Sequence, residues 1–346
     1  MIRALLLLSL LLLSTPLWAQ ERRIGVLYWS MNIPCQVAMR QGLEGEAKRL
    51  QKLATTPQSL PFTLLARVAG DGEAGIQKQI KQMHALVEER VDLIIVQPTD
   101  NAALAEPLRA ANAANIPVVA YDQYISGGRL AAFVTSDNYQ AGYQDGEYMA
   151  HAFADDYTIR LILVEYPHVS STVDRVNGFL DAMSSHKQPF KIIKSYEAVE
   201  PVGGRQAGLA ILRDFPESGS IDAIFAVNDG GAIAMTEVLA SSGRDEIFIA
   251  TIDGDPQAIQ KIAQGKLIRI DSAQFCGPLG AEAMRAGHQI LSGKPTAQHW
   301  LVPTFPITRE TLTHYPGWLG PLPTPFTKPW ESKTPQWQGQ LRVITP

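Results

Sequence analysis

The chain has 346 residues, 46% hydrophobic and 18% charged, which is length enough for two α/β lobes with separate cores. Its formal net charge of −4 provides no basic footprint for nucleic acid. Cys35 and Cys276 are its only cysteines, too few for a disulfide scaffold, so the fold must rest on its core.

In chain order, Arg3, the Leu-rich run 4–13 and the segment from Ser14 to Ala19 form the charged, apolar and small-residue zones of a secretory signal. Cleavage is expected after Ala19. The apolar run is about half of the ~20 residues a membrane span needs, which argues against an anchor. In an exported compartment a disulfide between the two cysteines would be permitted. Strands are expected at 24–30, 62–69, 91–96, 116–122 and 131–135, with helices at 37–54, 74–89 and 102–115 between the first four. Pro107 inside the last of these helices marks a late start or a kink.

The alternation resumes with helix 139–153, strand 159–165, helix 172–184, strand 191–198 and helix 204–215. Strand 223–228, helix 232–241, strand 247–253, helix 257–264 and strand 267–273 follow, then helix 279–291 and a strand over 300–307. Strands alternating with helices at this spacing predict parallel sheets. Several strands run apolar and then stop on Asp or Asn: Asp100, Asp122, Asn228 with Asp229, and Asp253. Polar groups at the carboxyl ends of doubly buried parallel strands lie where open α/β sheets place their ligands. From about residue 316 the chain becomes rich in Pro and Trp, which predicts an extended surface segment rather than a long helix.

Signals of catalysis are weak. Gly70, Gly72 and Gly75 spell a dinucleotide-binding motif in letters, but they follow the second strand and read more simply as a flexible βα loop. The seven histidines show no metal-ligand spacing; only His168, just past a strand end, stands apart. Ser170, Ser171 and Asp174 lack a nucleophile elbow, and the Ser and Thr residues there read as caps of the helix near Thr172. No catalytic residue, metal or cofactor is expected.

The chain resembles the ribose-type periplasmic sugar-binding proteins, whose type I fold is shared with the ligand domain of lac-type repressors. The pieces that carry the resemblance, in the family's order, are Asn32-Ile33-Pro34, Gln97-Pro98-Thr99-Asp100, Ala114-Asn115-Ile116-Pro117-Val118 with Asp122, and Thr135-Ser136-Asp137-Asn138. They continue with Asp174-Arg175-Val176-Asn177-Gly178-Phe179, Phe225-Ala226-Val227-Asn228-Asp229, Asp253-Gly254 with Pro256, and Ala273-Gln274. The signal segment and the absence of DNA-binding helices set aside the repressor branch.

The resemblance implies two doubly wound parallel-sheet lobes joined by three crossing hinge segments, near Thr135-Ser136, Gln274 and residues 301–303. The expected division is signal 1–19, a first lobe of 20–135 plus 275–301, a second lobe of 136–274 plus 302–315, and a tail of 316–346. Asp122, Asn228, Asp253 and Gln274 match family positions that hydrogen-bond sugar hydroxyls, and Asp, Asn and Gln supply the donors and acceptors a polyol needs. Asn32 and Gln123 join the expected set. Capping of the next helix is the alternative for any one of these residues.

Where pyranose-binding members carry stacking aromatics after the Asn-x-Pro turn, this chain has Cys35 and Gln36. The opposing aromatic is replaced within residues 201–204. Trp29, rather than Tyr28, is the candidate substitute wall, since alternate strand side chains face opposite ways. Arg175 stands two residues past the family's ligand arginine, either at the site or as a buried structural arginine. The resemblance also places Cys35 and Cys276 in one lobe near the cleft, either bridged or as two buried thiols. A non-enzymatic, monomeric receptor for a sugar or polyol is expected, serving an ABC permease or, alternatively, a membrane sensor.

Overall fold

The computed structural model describes residues 21–53 and 60–344. The expected signal segment lies outside the described residues. The first lobe opens with β1 (Arg22–Tyr28), α1 (Pro34–Leu53), β2 (Phe62–Val68), α2 (Gly72–Glu88), β3 (Leu93–Val96), α3 (Ala105–Ala113), β4 (Val118–Tyr121) and β5 (Ala132–Ser136). β1 pairs in parallel with β2 and β3, and β4 pairs in parallel with β3 and β5. β3 and β4 read LIIV and VVAY and are buried at every position, as strands covered by helices on both faces must be. Pro107 falls in the first turn of α3, where a missing N–H costs nothing, so the helix starts three residues later than the apolar pattern suggests.

The second lobe takes α4 (Asn138–Ala152), β6 (Ile159–Glu165), α5 (Ser170–Ser185), β7 (Phe190–Glu197) and α6 (Pro201–Asp214). It continues through β8 (Ala223–Ala226), α7 (Asp229–Ser241), β9 (Phe248–Asp253), α8 (Pro256–Gln264) and β10 (Ile268–Gln274). Its strands order as β10-β9-β8-β6-β7 in parallel. α4 and α5 pack backbone on backbone: a Cβ on Gly142 would overlap the Arg175 carbonyl, and one on Gly178 the Tyr139 carbonyl. That close approach sets the depth at which Arg175 enters the lobe. The Ser and Thr residues at the start of α5 do not cap it as expected. Val169 is the N-cap and makes no side-chain cap bond, while Thr172 donates back to the Val169 carbonyl.

The chain returns to the first lobe as α9 (Cys276–Leu291) and β11 (His299–Val302), then leaves again as β12 (Thr304–Ile307). The single strand expected over 300–307 is therefore two. Pro303 interrupts it as the chain switches sheets, β11 pairing in parallel with β5 and β12 antiparallel with β10. Three passages thus join the lobes, at β5 to α4, β10 to α9 and β11 to β12.

The tail forms more structure than its composition predicts. β13 (Phe326–Thr327) pairs with β14 (Gln336–Trp337), and β15 (Arg342–Ile344) adds antiparallel to β11 on the outer edge of the first sheet. Before reaching β15 the tail is anchored to the second lobe. Lys328 Nζ and Trp330 Nε1 donate to Glu147 Oε2 of α4 at 2.8 and 3.1 Å, and Trp337 Nε1 donates to the Thr304 carbonyl at 2.7 Å. The tail is therefore a fourth strap between the lobes.

Candidate functional site

Asp122 directly follows β4 and Asp253 ends β9, with φ of 66° and 136°, a region that residues with a Cβ rarely occupy. Each turn aims its carboxylate into the cleft between the lobes. Burial raises the pKa of both: Asp122 is pushed up from the usual carboxylate range, and Asp253 up to about 6 despite the Arg175 charge beside it. Gln97 Nε2 donates to Asp122 Oδ2 at 2.9 Å, whereas Asp122 Oδ1 is buried with no partner. Asp253 Oδ1 accepts from Arg175 at 3.1 Å and from Gln274 Nε2 at 2.7 Å.

This web runs into the hinge. Ser136 Oγ, in the first crossing, donates to Gln274 Oε1 in the second at 2.6 Å. Arg175 Nε donates to Asn138 Oδ1 at 2.9 Å, and Asn138 Nδ2 donates in turn to Thr135 Oγ1 at 3.0 Å. Arg175 is thus both a cleft residue and the buried structural arginine, donating also to the Val227 carbonyl.

Nine of the ten expected residues line one cavity: Trp29, Cys35, Gln36, Asp122, Gln123, Arg175, Asn228, Asp253 and Gln274. Asn32 does not line it. Its Nδ2 donates instead to Asp71 Oδ2 at 2.6 Å, because the Ser30 hydroxyl accepts the Asn32 backbone N–H and turns the side chain out toward the rim. Asn228 lines the wall but works as the N-cap of α7, its Oδ1 accepting from Gly231 N and its Nδ2 donating to the Val199 carbonyl. Gln97 escaped sequence reasoning because the motif containing it carries no mark of which side chain reaches Asp122. Ser171 escaped because it reads as a cap; its hydroxyl is buried in the cavity wall without a partner.

Trp29 is the aromatic wall, 4% exposed and packed among Val169, Val199 and Val227 of the second lobe. Tyr28 points the other way, into the core of the first lobe, and donates to Glu44. The cysteines are bridged, with S–S 2.05 Å and Cα–Cα 5.7 Å, and join the first turns of α1 and α9 at the cleft wall.

The lobes touch directly across the cleft mouth. Asn101 N donates to the His168 carbonyl at 3.1 Å, Tyr124 N to Ser170 Oγ at 3.0 Å and Ser171 N to Gln123 Oε1 at 3.2 Å. The His168 ring lies 4.0 Å from Asp100 of the first lobe and 3.6 Å from Glu197 of its own lobe. The space left between the lobes is about 30 Å³, far below the ~300 Å³ at which small-molecule pockets begin. This is a closed arrangement, and its lobes must part to admit anything larger than a water.

A family model for periplasmic binding protein domains matches residues 24–295. The ribose import binding protein of Bacillus subtilis is 27% identical over 299 residues, covering 84% of this chain and 91% of the relative. That of Escherichia coli is 25% identical over 272 residues, covering 78% and 85%. A solute-binding protein from Actinobacillus succinogenes solved with D-allose superposes with a TM-score of 0.70 at 23% identity, covering 85% of this chain and 100% of that one. The Caulobacter myo-inositol binding protein superposes with a TM-score of 0.71 at 24% identity, covering 84% and 94%. Two parallel-sheet lobes, the polar strand ends facing one cleft between them and the matched span together make this chain a member of the periplasmic binding protein family.

Proposed function

We propose that the chain is an exported receptor that traps a neutral polyhydroxy molecule, a monosaccharide or polyol, between its lobes and delivers it to an ABC importer. The observation that carries this reading is the pair of buried, partnerless groups facing one cavity from opposite lobes: the acceptor Asp122 Oδ1 and the hydroxyl of Ser171. A hydroxyl of a bound sugar satisfies both kinds of group, and a ligand that pairs them stabilises the closed arrangement over the open one. Two carboxylates against the single Arg175 guanidinium make the cleft unfavourable to anions. Relatives named for import of ribose and fructose and for binding of D-allose support the ligand class and the transport role.

A thermal-shift screen of the mature protein against D-ribose, D-allose, D-fructose and myo-inositol tests the reading. A ligand present at ~100 times its dissociation constant adds about 2.7 kcal/mol of stability, a shift of several degrees. X-ray scattering then checks closure: ligand should shrink the radius of gyration, as hinge motion about the crossings requires. If no neutral polyol moves the midpoint while charged solutes do, the reading is wrong.

A further inference from the structure

At the hinge, outside the cleft, lies a second cavity of about 320 Å³, its lining mixed polar and apolar. One wall is α4 with its cap Asp137; the floor is Pro303 and Thr304 of the third crossing; the other wall is the tail from Lys328 to Arg342. The charged groups around it are compensated within the protein, Arg342 pairing with Asp137 and Lys328 with Glu147. What remains is dominated by carboxamides: Gln140 and Gln144 from α4 and Gln336, Gln338 and Gln340 from the tail.

The tail wall is firmly seated. In the run Gln336-Trp337-Gln338-Gly339-Gln340 every second residue is a carboxamide, and the residues between them hold the run in place. Trp337 is 4% exposed, packs edge-on against Phe305 with ring centroids 5.2 Å apart, and donates to the Thr304 carbonyl. Gly339 lies where a Cβ would overlap the Trp337 ring. Beneath this wall, the Thr304 hydroxyl is buried with no hydrogen-bond partner, on a residue 1% exposed that lines the cavity. A buried polar atom without a partner in the wall of a roomy cavity is a position for a hydrogen-bonding group from outside the chain.

We propose that this cavity is a second ligand site, distinct from the cleft, for an uncharged polyhydroxy compound of about monosaccharide size. A charged ligand would arrive without a counter-charge, since the ion pairs around the cavity are already made. A neutral polyol matches it: Gln336 Nε2 already donates to Thr327 Oγ1 and Gln144 Oε1 accepts from Ser272, but the carboxamides of Gln140, Gln338 and Gln340 each carry both a donor and an acceptor, as each hydroxyl does. The volume lies at the lower end of the ~300–1,000 Å³ range of small-molecule pockets. The lining comes from both lobes, α4 and Thr304 from the second and Arg342 from the strand added to the first, so the cavity has this shape only at this interlobe angle. Occupancy of the hinge site and closure of the cleft therefore support each other, reciprocally.

Indole N–H resonances of the ¹⁵N-labelled full mature chain separate the two sites, since Trp337 reports on the hinge cavity and Trp29 on the cleft. On titration with D-glucose and, separately, myo-inositol, the Trp337 signal is expected to shift saturably for at least one of the two. The shift should weaken at least tenfold in affinity in Gln140→Ala/Gln338→Ala, whose side chains sit at the cavity edge. Gluconate, a charged control, should leave it in place. A Trp337 signal that does not move with either neutral probe, that moves equally with gluconate, or that moves undiminished in the double variant overturns the proposal. Closure of the cleft also moves the hinge, so the titration is repeated in Asp122→Ala, whose cleft binds more weakly: a Trp337 shift that weakens there in step with the Trp29 shift comes from the cleft and overturns the proposal, whereas one that persists while the Trp29 shift fades supports it.

Discussion

Asp122 and Asp253 occupy equivalent places in the two lobes, yet their surroundings separate the consequences of removing them. Asp122 gives one oxygen to Gln97 and leaves the other open, so Asp122→Ala should lose a charge-assisted ligand bond of about 1.5–3 kcal/mol, at least tenfold in affinity, with little change in melting midpoint. Asp253 neutralises the buried Arg175, so Asp253→Ala should lose ligand affinity and also about 3–5 kcal/mol of stability, because it strands that guanidinium. Calorimetric titration and thermal melts of the two variants check the contrast; equal stabilities would show that Arg175 does not depend on Asp253. The strand-end carboxylates were legible in the sequence because an apolar run that halts on Asp has few other uses. Asn228 was legible as polar but not as spent on its own helix, and Gln97 and Ser171 acquire meaning only when distant strands converge.

Among the elements, the tail departs furthest from what its composition conveys. Prolines and tryptophans exclude a long helix, but the three residues of β15 are too short to announce a strand, and their partner β11 lies about forty positions upstream. The split at Pro303 escaped for a related reason: the two halves of the run pair with different sheets, which no local pattern records. Glu147 is the fixed point of the strap, fully buried and holding Lys328, Trp330 and Ser332. Lys328→Ala leaves that carboxylate without its counter-charge and should cost about 3–5 kcal/mol in urea unfolding. Lys333→Ala, on the exposed side of the same turn, should stay within about 0.5 kcal/mol. Comparable losses in the two would mean that the strap contributes nothing through Glu147. By contrast, the βα alternation that builds both sheets was readable throughout, since doubly buried strands and amphipathic helices differ in period.

For the whole molecule, the buried acids set the pH response. Burial raises the pKa of Asp145, Asp229 and Asp271 well above the usual value, and that of Asp253 to about 6. Above about pH 3.8 these groups hold protons in the folded state that the unfolded chain has released, so folding takes up protons and stability rises as pH falls from neutral toward that value. Below about pH 4 the opposite group takes over: Glu46, Asp222 and Glu246, held low by hydrogen bonds from arginines, lose their stabilisation as they protonate, Glu246 at about 2. The melting midpoint should therefore be higher at pH 5 than at pH 8. Asp145→Asn should raise it more at pH 8 than at pH 5. A midpoint that climbs steadily from pH 5 to pH 8 would show that these acids are ionised without penalty.

The bridge from Cys35 to Cys276 spans 241 residues of sequence within a single lobe, and the second lobe from α4 to β10 is threaded through that interval. The first lobe is accordingly begun first and finished last. As the chain emerges from its N-terminus, β5 shows an open edge until β11 arrives, α1 lacks its partner α9, and the Cys35 thiol has no mate until the second lobe has been made. The second lobe's parallel core, β6 to β10, is contiguous and can close on its own. Order of synthesis thus runs opposite to order of completion, and the interval in which Cys35 waits is the time this protein needs shelter from the wrong thiol and from other edges like its own.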